Sequence, residues 1–306
     1  MIEVYRGSPN TWECDEMGHM NVRFYLARFN ESLGIFAHKT KMAHAFRANS
    51  PSTISPKDIH LRFVKECLAG KPIYIEAGVL DVQDTSALVY FKMSHLNGDV
   101  AATCQMWLHH RDNHTMKTFA WSPRTRAAFE DIRHTGEIEF GPRSIDFSIT
   151  PDRPPTMADV TEIEPRLIGC GLVPPQHCDV YGFMNPEHII GRISDSVPNL
   201  LDSAGETMSR GPSEGGNAGT AALEYRVIVD DLPEAGDTFN LYSGVVGAMG
   251  KVIAIRHWLM NPTTGTAFAR IQATVVQFDL ETRKAVAPDA KGIETLKASA
   301  PHPLWL

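Results

Sequence analysis

The 306-residue chain predicts an α+β protein made of two tandem domains, each a long helix followed by a run of antiparallel strands. Three observations carry this expectation. The stretch "ECDEMGHMN" (Glu13 to Asn21) is echoed by "HCDVYGFMN" (His177 to Asn185), with Asp15 and Asp179 lying 164 positions apart (179 − 15). At the same offset Cys14 matches Cys178, Gly18 matches Gly182, Met20 matches Met184, Asn21 matches Asn185 and Glu31 matches Asp195. A repeat this long is not a solenoid unit and suggests a duplicated domain. The same order of elements follows each copy, and a charged, Pro-containing stretch separates the two.

In the first half a β-prone lead-in (Ile2 to Trp12) reaches the polar loop. Then comes "VRFYLARFNESLGIFAHK", with Val22, Tyr25, Leu26, Phe29, Leu33, Phe36 and Ala37 at helical spacing and Asn21 placed as its N-cap. Strands are expected in "IHLRFVKECL", "PIYIEAGVLDVQ", "SALVYFKMSHL" and "VAATCQMWLHH", with turns at Asp84-Thr85 and Asn97-Gly98. The connector holds a short helix after the cap Ser122 and Pro123, then Pro142, Pro151, Pro154 and Pro155, and reads as a surface-wrapping linker. In the second half "RLIGCGLVPPQHCD" leads into the loop. The helix "PEHIIGRISDSV" starts at Pro186 and is expected to end or kink at Pro198. Strands follow in "AALEYRVIV", "TFNLYSGVV", "KVIAIRHWLM" and "TAFARIQATVVQF". The expected division is residues 1–120, a linker at 121–165, residues 166–290, and a poorly patterned tail at 291–306. One helix is buried by such strands only if the sheet curls around it, and pairing of two units would cover exposed sheet edges.

Hydrophobic content of 43% allows real cores, and a net charge of −7 argues against a general nucleic-acid or membrane-surface binder. The five cysteines form no CxxC pair, the N-terminus does not read as a signal peptide, and no stretch is long and apolar enough to span a bilayer. The expected location is the cytoplasm.

The two loops resemble the Asp-x-x-Gly-His-x-Asn signature of hotdog-fold acyl-CoA thioesterases of the 4-hydroxybenzoyl-CoA thioesterase type. "DEMGHMN" from Asp15 fits it closely, and "DVYGFMN" from Asp179 fits with Phe183 in place of the His. The resemblance covers roughly residues 2 to 118 and 166 to 280. It implies a double hotdog, a pseudo-dimer in one chain, that hydrolyses an acyl-CoA without a metal or organic cofactor. It also implies sites between two hotdog units and Asp15 and Asp179 as the catalytic carboxylates. Further assembly into a homo-oligomer is an expectation from the same source.

The chemistry fits these residue types. A carboxylate can attack the thioester carbonyl or take a proton from water, and both routes stay open. Free N–H groups at the helix start can polarise the carbonyl. Gly18 and Gly182 permit a tight turn and close ligand approach, and Asn21 and Asn185 cap the helices. His19 is a candidate for orienting water or the carbonyl. Glu31 and Asp195 are second-tier acids, and Tyr25, on the first helix, is a candidate substrate contact. Beside these stand plainer readings: Asp15 and Asp179 as turn carboxylates, Cys14 and Cys178 as small buried hydrophobes, and His109, His110 and His114 as a cluster too divergent to hold a metal. Met17, Met20 and Met184 line an acyl tunnel or belong to the core. Arg47, Lys57, Arg62, Lys65, Arg226 and Arg256 are the cations considered for the CoA phosphates. His19, missing from the second copy, places the working site at Asp15. The competing functions are a hotdog hydratase or dehydratase and a non-catalytic acyl-CoA-binding protein.

Overall fold

The computed structural model describes residues 1–15, 17–203, 218–279, 281–282 and 284–287, so the expected tail at 291–306 lies outside the described residues. The chain divides into two units. One is Met1–Arg143 with Asp179–Glu187; the other is Ser144–Cys178 with His188–Leu306. The second motif loop therefore belongs to the first unit. Among the described residues no helix is long and apolar enough to cross a membrane.

The first unit contains β1 (Ile2–Gly7), α1 (Val22–Lys39), β2 (Ser52–Phe63), β3 (Ile73–Val82), β4 (Ser86–His95), β5 (Val100–Asp112) and α2 (Pro123–Asp131). Its strands run in the order β1-β3-β4-β5-β2, each antiparallel to its neighbours. Helix α1 starts where Asn21 Oδ1 accepts the Arg23 N–H at 3.0 Å. Its apolar face buries Tyr25, Leu26, Phe29, Leu33, Phe36 and Ala37, the predicted stripe without Val22. Phe29 and Phe36 meet Phe91 of β4 at 6.1 and 6.2 Å between ring centroids, and Tyr25 meets Phe63 of β2 edge-on at 5.2 Å. Helix α1 thus packs on strands to either side of β5. Each such side chain contributes about 1.5–3 kcal/mol of burial free energy.

One expectation fails here for a visible reason. Strand β2 begins at Ser52, seven residues before the predicted start at Ile59, although Pro56 lies inside it. The register against β5 shifts between Pro56 and Asp58, so the proline sits at a bulge, where a missing N–H is tolerated. The connector backbone is held by side chains of the second unit's strands. Buried Glu224 accepts the N–H groups of Ser144 and Ile145. Arg226 donates to the carbonyls of Asp146 and Ile149, and Arg270 to that of Asp152.

The second unit holds α3 (Met157–Glu162), β6 (Arg166–Leu172), most of α4 (Pro186–Ser203), β7 (Ala218–Val229), β8 (Thr238–Met249), β9 (Val252–Met260), β10 (Ala267–Asp279) and β11 (Ala285–Val286). Its order β6-β8-β9-β10-β7, with β11 on β10, repeats that of the first unit. The α+β expectation holds in both. Helix α3 was not anticipated. A capping box between Thr156 and Asp159 starts it, hidden in the sequence by the flanking prolines. Of the two expectations for Pro198, an end or a kink, the end is not met: helix α4 runs on through Pro198 to Ser203. Its packing on β6 offsets the lost hydrogen bond: Asn199 donates to the Ile168 carbonyl at 2.7 Å, and Ser196 lies against Gly169.

A side chain at Gly169 would place its Cβ 2.4 Å from Ser196 Oγ and 3.1 Å from Ser196 Cβ. We expect Gly169→Val to cost about 1–3 kcal/mol in chemical denaturation, as for an overpacked site. Adding Ser196→Gly should recover part of the loss.

Candidate active site

Each motif loop follows a short 3-10 turn, Thr11–Glu13 in one copy and Pro175–His177 in the other. The two loops then close in the same way. Asp15 Oδ1 accepts the N–H groups of Met17 and His19 at 2.9 and 3.1 Å, and Asp179 Oδ1 accepts those of Tyr181 and Phe183 at 2.8 and 3.0 Å. The main chain adds Asp15 N–H to the His19 carbonyl at 2.8 Å and Asp179 N–H to the Phe183 carbonyl at 2.7 Å. Gly18 and Gly182 take φ of 79° and 89°. An added Cβ would meet nothing within 4 Å at either, so the left-handed backbone, not crowding, calls for glycine. In each aspartate one oxygen closes the loop, and Oδ2 has no hydrogen-bond partner among the described residues.

The surroundings then diverge. His19 Nε2 lies 3.1 Å from Glu66 Oε2. Its counterpart Phe183 instead carries the guanidinium of Arg111, 4.9 Å above the ring. Arg111 is 4% exposed, and its Nε and Nη1 have no acceptor among the described residues. Burial raises the Asp179 pKa from its ordinary value, against the opposing pull of the loop N–H groups and Arg111. At the start of α4, Glu187 receives a hydrogen bond from Asn30 of α1 at 3.1 Å. Burial pushes its pKa up to about 6, while Arg23 draws it down. Glu187 and Arg23 occupy equivalent positions of the repeat, so this acid and base are a divergence between the copies. Asn185 Oδ1 lies 3.5 Å from the same Asn30 amide.

The remaining candidates are placed as follows. Tyr25 is buried on α1, its hydroxyl accepting the Cys67 N–H at 3.1 Å. Glu31 is exposed and paired with Arg28 at 2.8 Å. Asp195 is also exposed, 4.0 Å from Arg192. Cys14 and Cys178 are half-buried, not buried as expected; their thiols donate to the carbonyls of Asn10 and Pro174. Burial and Asp15 push the Cys14 thiol pKa up, away from nucleophile character. His110 stacks on Trp121 at 4.9 Å, and among the described residues no three His, Cys, Asp or Glu groups converge on a metal-sized space. Met20 and Met184 are buried, whereas Met17 is exposed. Sequence reasoning missed Arg111, Glu187 and Asn30. The signal for Glu187 was present: aligning the two copies sets it opposite Arg23.

A carboxyl whose pKa is raised on folding gains protons in the native state. Glu187 therefore contributes stability below its ordinary value of 4.5 that is lost as pH rises through about 6. Urea melts across pH 4 to 7 should show stability declining through this window, and Glu187→Gln should flatten that component while keeping an acceptor for Asn30.

The family model of the Thioesterase-like superfamily matches residues 9–129 and 173–297, one motif loop in each segment. Among solved structures, a Lactobacillus plantarum protein provisionally described as an oleoyl thioesterase aligns with a TM-score of 0.67 at 10% identity, covering 89% of this chain and 94% of its own. An acyl-ACP thioesterase from Bacteroides thetaiotaomicron gives 0.63 at 12% identity, covering 89% and 96%. The 12:0-ACP thioesterase from Umbellularia californica gives 0.63 at 10% identity, covering 89% and 93%. At such identities these structures bear on the fold alone, which agrees with the tandem hotdog resemblance read from the motifs. No curated protein matches the chain. The match over both halves decides the family: this chain belongs to the Thioesterase-like superfamily.

Proposed function

We propose that the protein hydrolyses an acyl-CoA thioester to a free acid and coenzyme A, and that the Asp179 loop carries the chemistry. The observation behind this is the setting of Asp179. One oxygen is held by two loop N–H groups, and the other is left for substrate or water. Burial makes the carboxylate more basic, and a buried arginine with unused donors stands beside it. A carboxylate raised toward neutral pH is a better proton acceptor than an exposed one.

In this reading Asp179 Oδ2 either takes a proton from the attacking water or attacks the carbonyl carbon itself. The tetrahedral oxyanion is met by fixed donors, the first-turn N–H groups of α4 and the Arg111 guanidinium. Its collapse breaks the C–S bond and releases coenzyme A as a thiolate that takes up the proton; on the covalent route a water then hydrolyses the Asp179 mixed anhydride to the free acid and restores the carboxylate. Asp15 has the same loop but no arginine over the ring position, so the geometry favours Asp179 as the main site, the reverse of the order that His19 suggests from sequence. Five free cysteines support a reducing cytoplasmic setting.

Asp179→Asn should lower kcat for acyl-CoA hydrolysis by roughly 10²–10⁴, the range of a lost general base, with little change in KM. Asp15→Asn should cost less than Asp179→Asn. The reverse ranking would move the chemistry to the first loop. Consumption of an enoyl thioester without thiol release would favour hydration at the His19–Glu66 pair instead.

A further inference from the structure

We infer that an open cavity at the C-terminal end of α1 holds the phosphate-bearing end of the coenzyme A thioester; this rests on the thioesterase reading above. The cavity measures about 470 Å³ and is lined by His38, Lys41, Ala43, His44, Arg47 and Arg124. These come from the last turn of α1, the turns after it and the first turn of α2. Five of the six carry or can carry positive charge, and none is acidic.

The charges are unusual for this chain. It has a net charge of −7, and many of its basic side chains find a carboxylate: Arg6 with Glu3, Arg28 with Glu31, Arg126 with Asp84, Arg153 with Asp159. Among the described residues no carboxylate pairs with Lys41, Arg47 or Arg124. Cations near a helix C-terminus complement its dipole, which accounts for His38 and Lys41 but not for Arg47 or Arg124. Convergence of like charges in a concave site is unfavourable until an anion enters.

Lys41 adds a second, independent observation. It has φ of 67°, with the Met42 N–H bonded to the Ala37 carbonyl at 2.7 Å and its own N–H to that of His38 at 3.4 Å. This is a helix stop whose left-handed position is normally glycine. The chain carries a lysine there despite the backbone cost, and the lysine lines the cavity.

The cavity wall is also tied to the reacting loop. The Tyr181 hydroxyl donates to the carbonyls of Ala45 and Arg47, at 2.7 and 2.9 Å, and the Tyr181 N–H binds Asp179 Oδ1 at 2.8 Å. A ligand anchored by its anions in the cavity is thereby held on a segment that Tyr181 fastens to the Asp179 loop. A diphosphate and a further phosphate on a flexible thioester arm match this arrangement, with guanidinium groups suited to phosphate oxygens. A concave site of this size suits a small-molecule anion, not the broad acidic face of a carrier protein. Of the other cations considered from sequence, Arg62 donates to the Gly141 carbonyl, Lys65 pairs with Asp99, and Arg226 is buried on the 146–149 segment; Arg256 keeps a buried Nη1 without a partner among the described residues, but it lies on β9, in the second unit.

The test uses the full chain carrying Lys41→Gly, Arg47→Ala and Arg124→Ala together. Calorimetry measures coenzyme A and adenosine 3′,5′-bisphosphate binding, and kinetics compares an acyl-CoA with the matching S-acylpantetheine, which lacks the phosphates. We expect coenzyme A affinity, and the preference for acyl-CoA over S-acylpantetheine, each to fall about tenfold or more in the triple variant. Thermal midpoints of the triple variant and of Lys41→Gly alone, measured beside the wild type, separate lost binding from misfolding; neither should fall, since Lys41→Gly relieves a left-handed position. Unchanged coenzyme A affinity overturns the inference, as does an equal loss on both substrates or a loss confined to an acyl-carrier-protein substrate. If the wild type binds coenzyme A through these residues but releases no thiol from any acyl-CoA, the cavity assignment stands and the hydrolysis reading fails.

Discussion

Both motif loops depend on one constraint: a single aspartate oxygen must satisfy two loop N–H groups while a glycine turns the backbone left-handed. Once that closure is made, the chain is delivered into the first turn of a long helix, and the second carboxylate oxygen is set free at a fixed place. An Asx-type turn therefore leaves one oxygen of the same residue available for the chemistry we propose at Asp179. The capping reading and the chemical reading of Asp15 and Asp179 do not compete, because they use different oxygens.

Duplication inside one chain explains why the two loops no longer look alike. In a symmetric dimer any change at one site appears at its twin. Here Arg23 and Glu187 hold equivalent places with opposite charge, and the Glu187 carboxyl feels Arg23 directly. His19 and Phe183 likewise hold one place in the repeat, yet one pairs with Glu66 and the other supports Arg111. The second loop has exchanged a polar side chain for an aromatic platform under a buried cation. That exchange sharpens the electrostatics around Asp179.

Much of the architecture was legible. The apolar stripe of α1, its Asn21 cap, the Asn97-Gly98 hairpin and the Ser122–Pro123 start of α2 are local signals, and local signals survive folding. The misreadings were all overridden by tertiary packing. Pro56 is absorbed by a bulge, Pro198 by contacts to β6, and the prolines of the connector conceal a capped helix and the carbonyls that Arg226 and Arg270 bind. The loops were legible because they repeat. Arg111 was not, since the fold brings it from the far end of β5 to a loop 68 positions later (179 − 111). Lys41 was equally silent, because its meaning lies in a backbone angle.

We propose that this chain cleaves thioesters at Asp179, whose carboxyl is raised by burial and lies within the field of Arg111. The most direct measurement is thiol release from a graded panel of acyl-CoA substrates, followed continuously with a thiol-reactive chromophore as pH is varied from 5 to 9. Hydrolysis at Asp179 requires saturable release for at least one acyl length, with kcat falling at low pH as a carboxylate of raised pKa becomes protonated. Saturable binding of acyl-CoA without thiol release at any pH would contradict it and leave a non-catalytic acyl-CoA-binding protein.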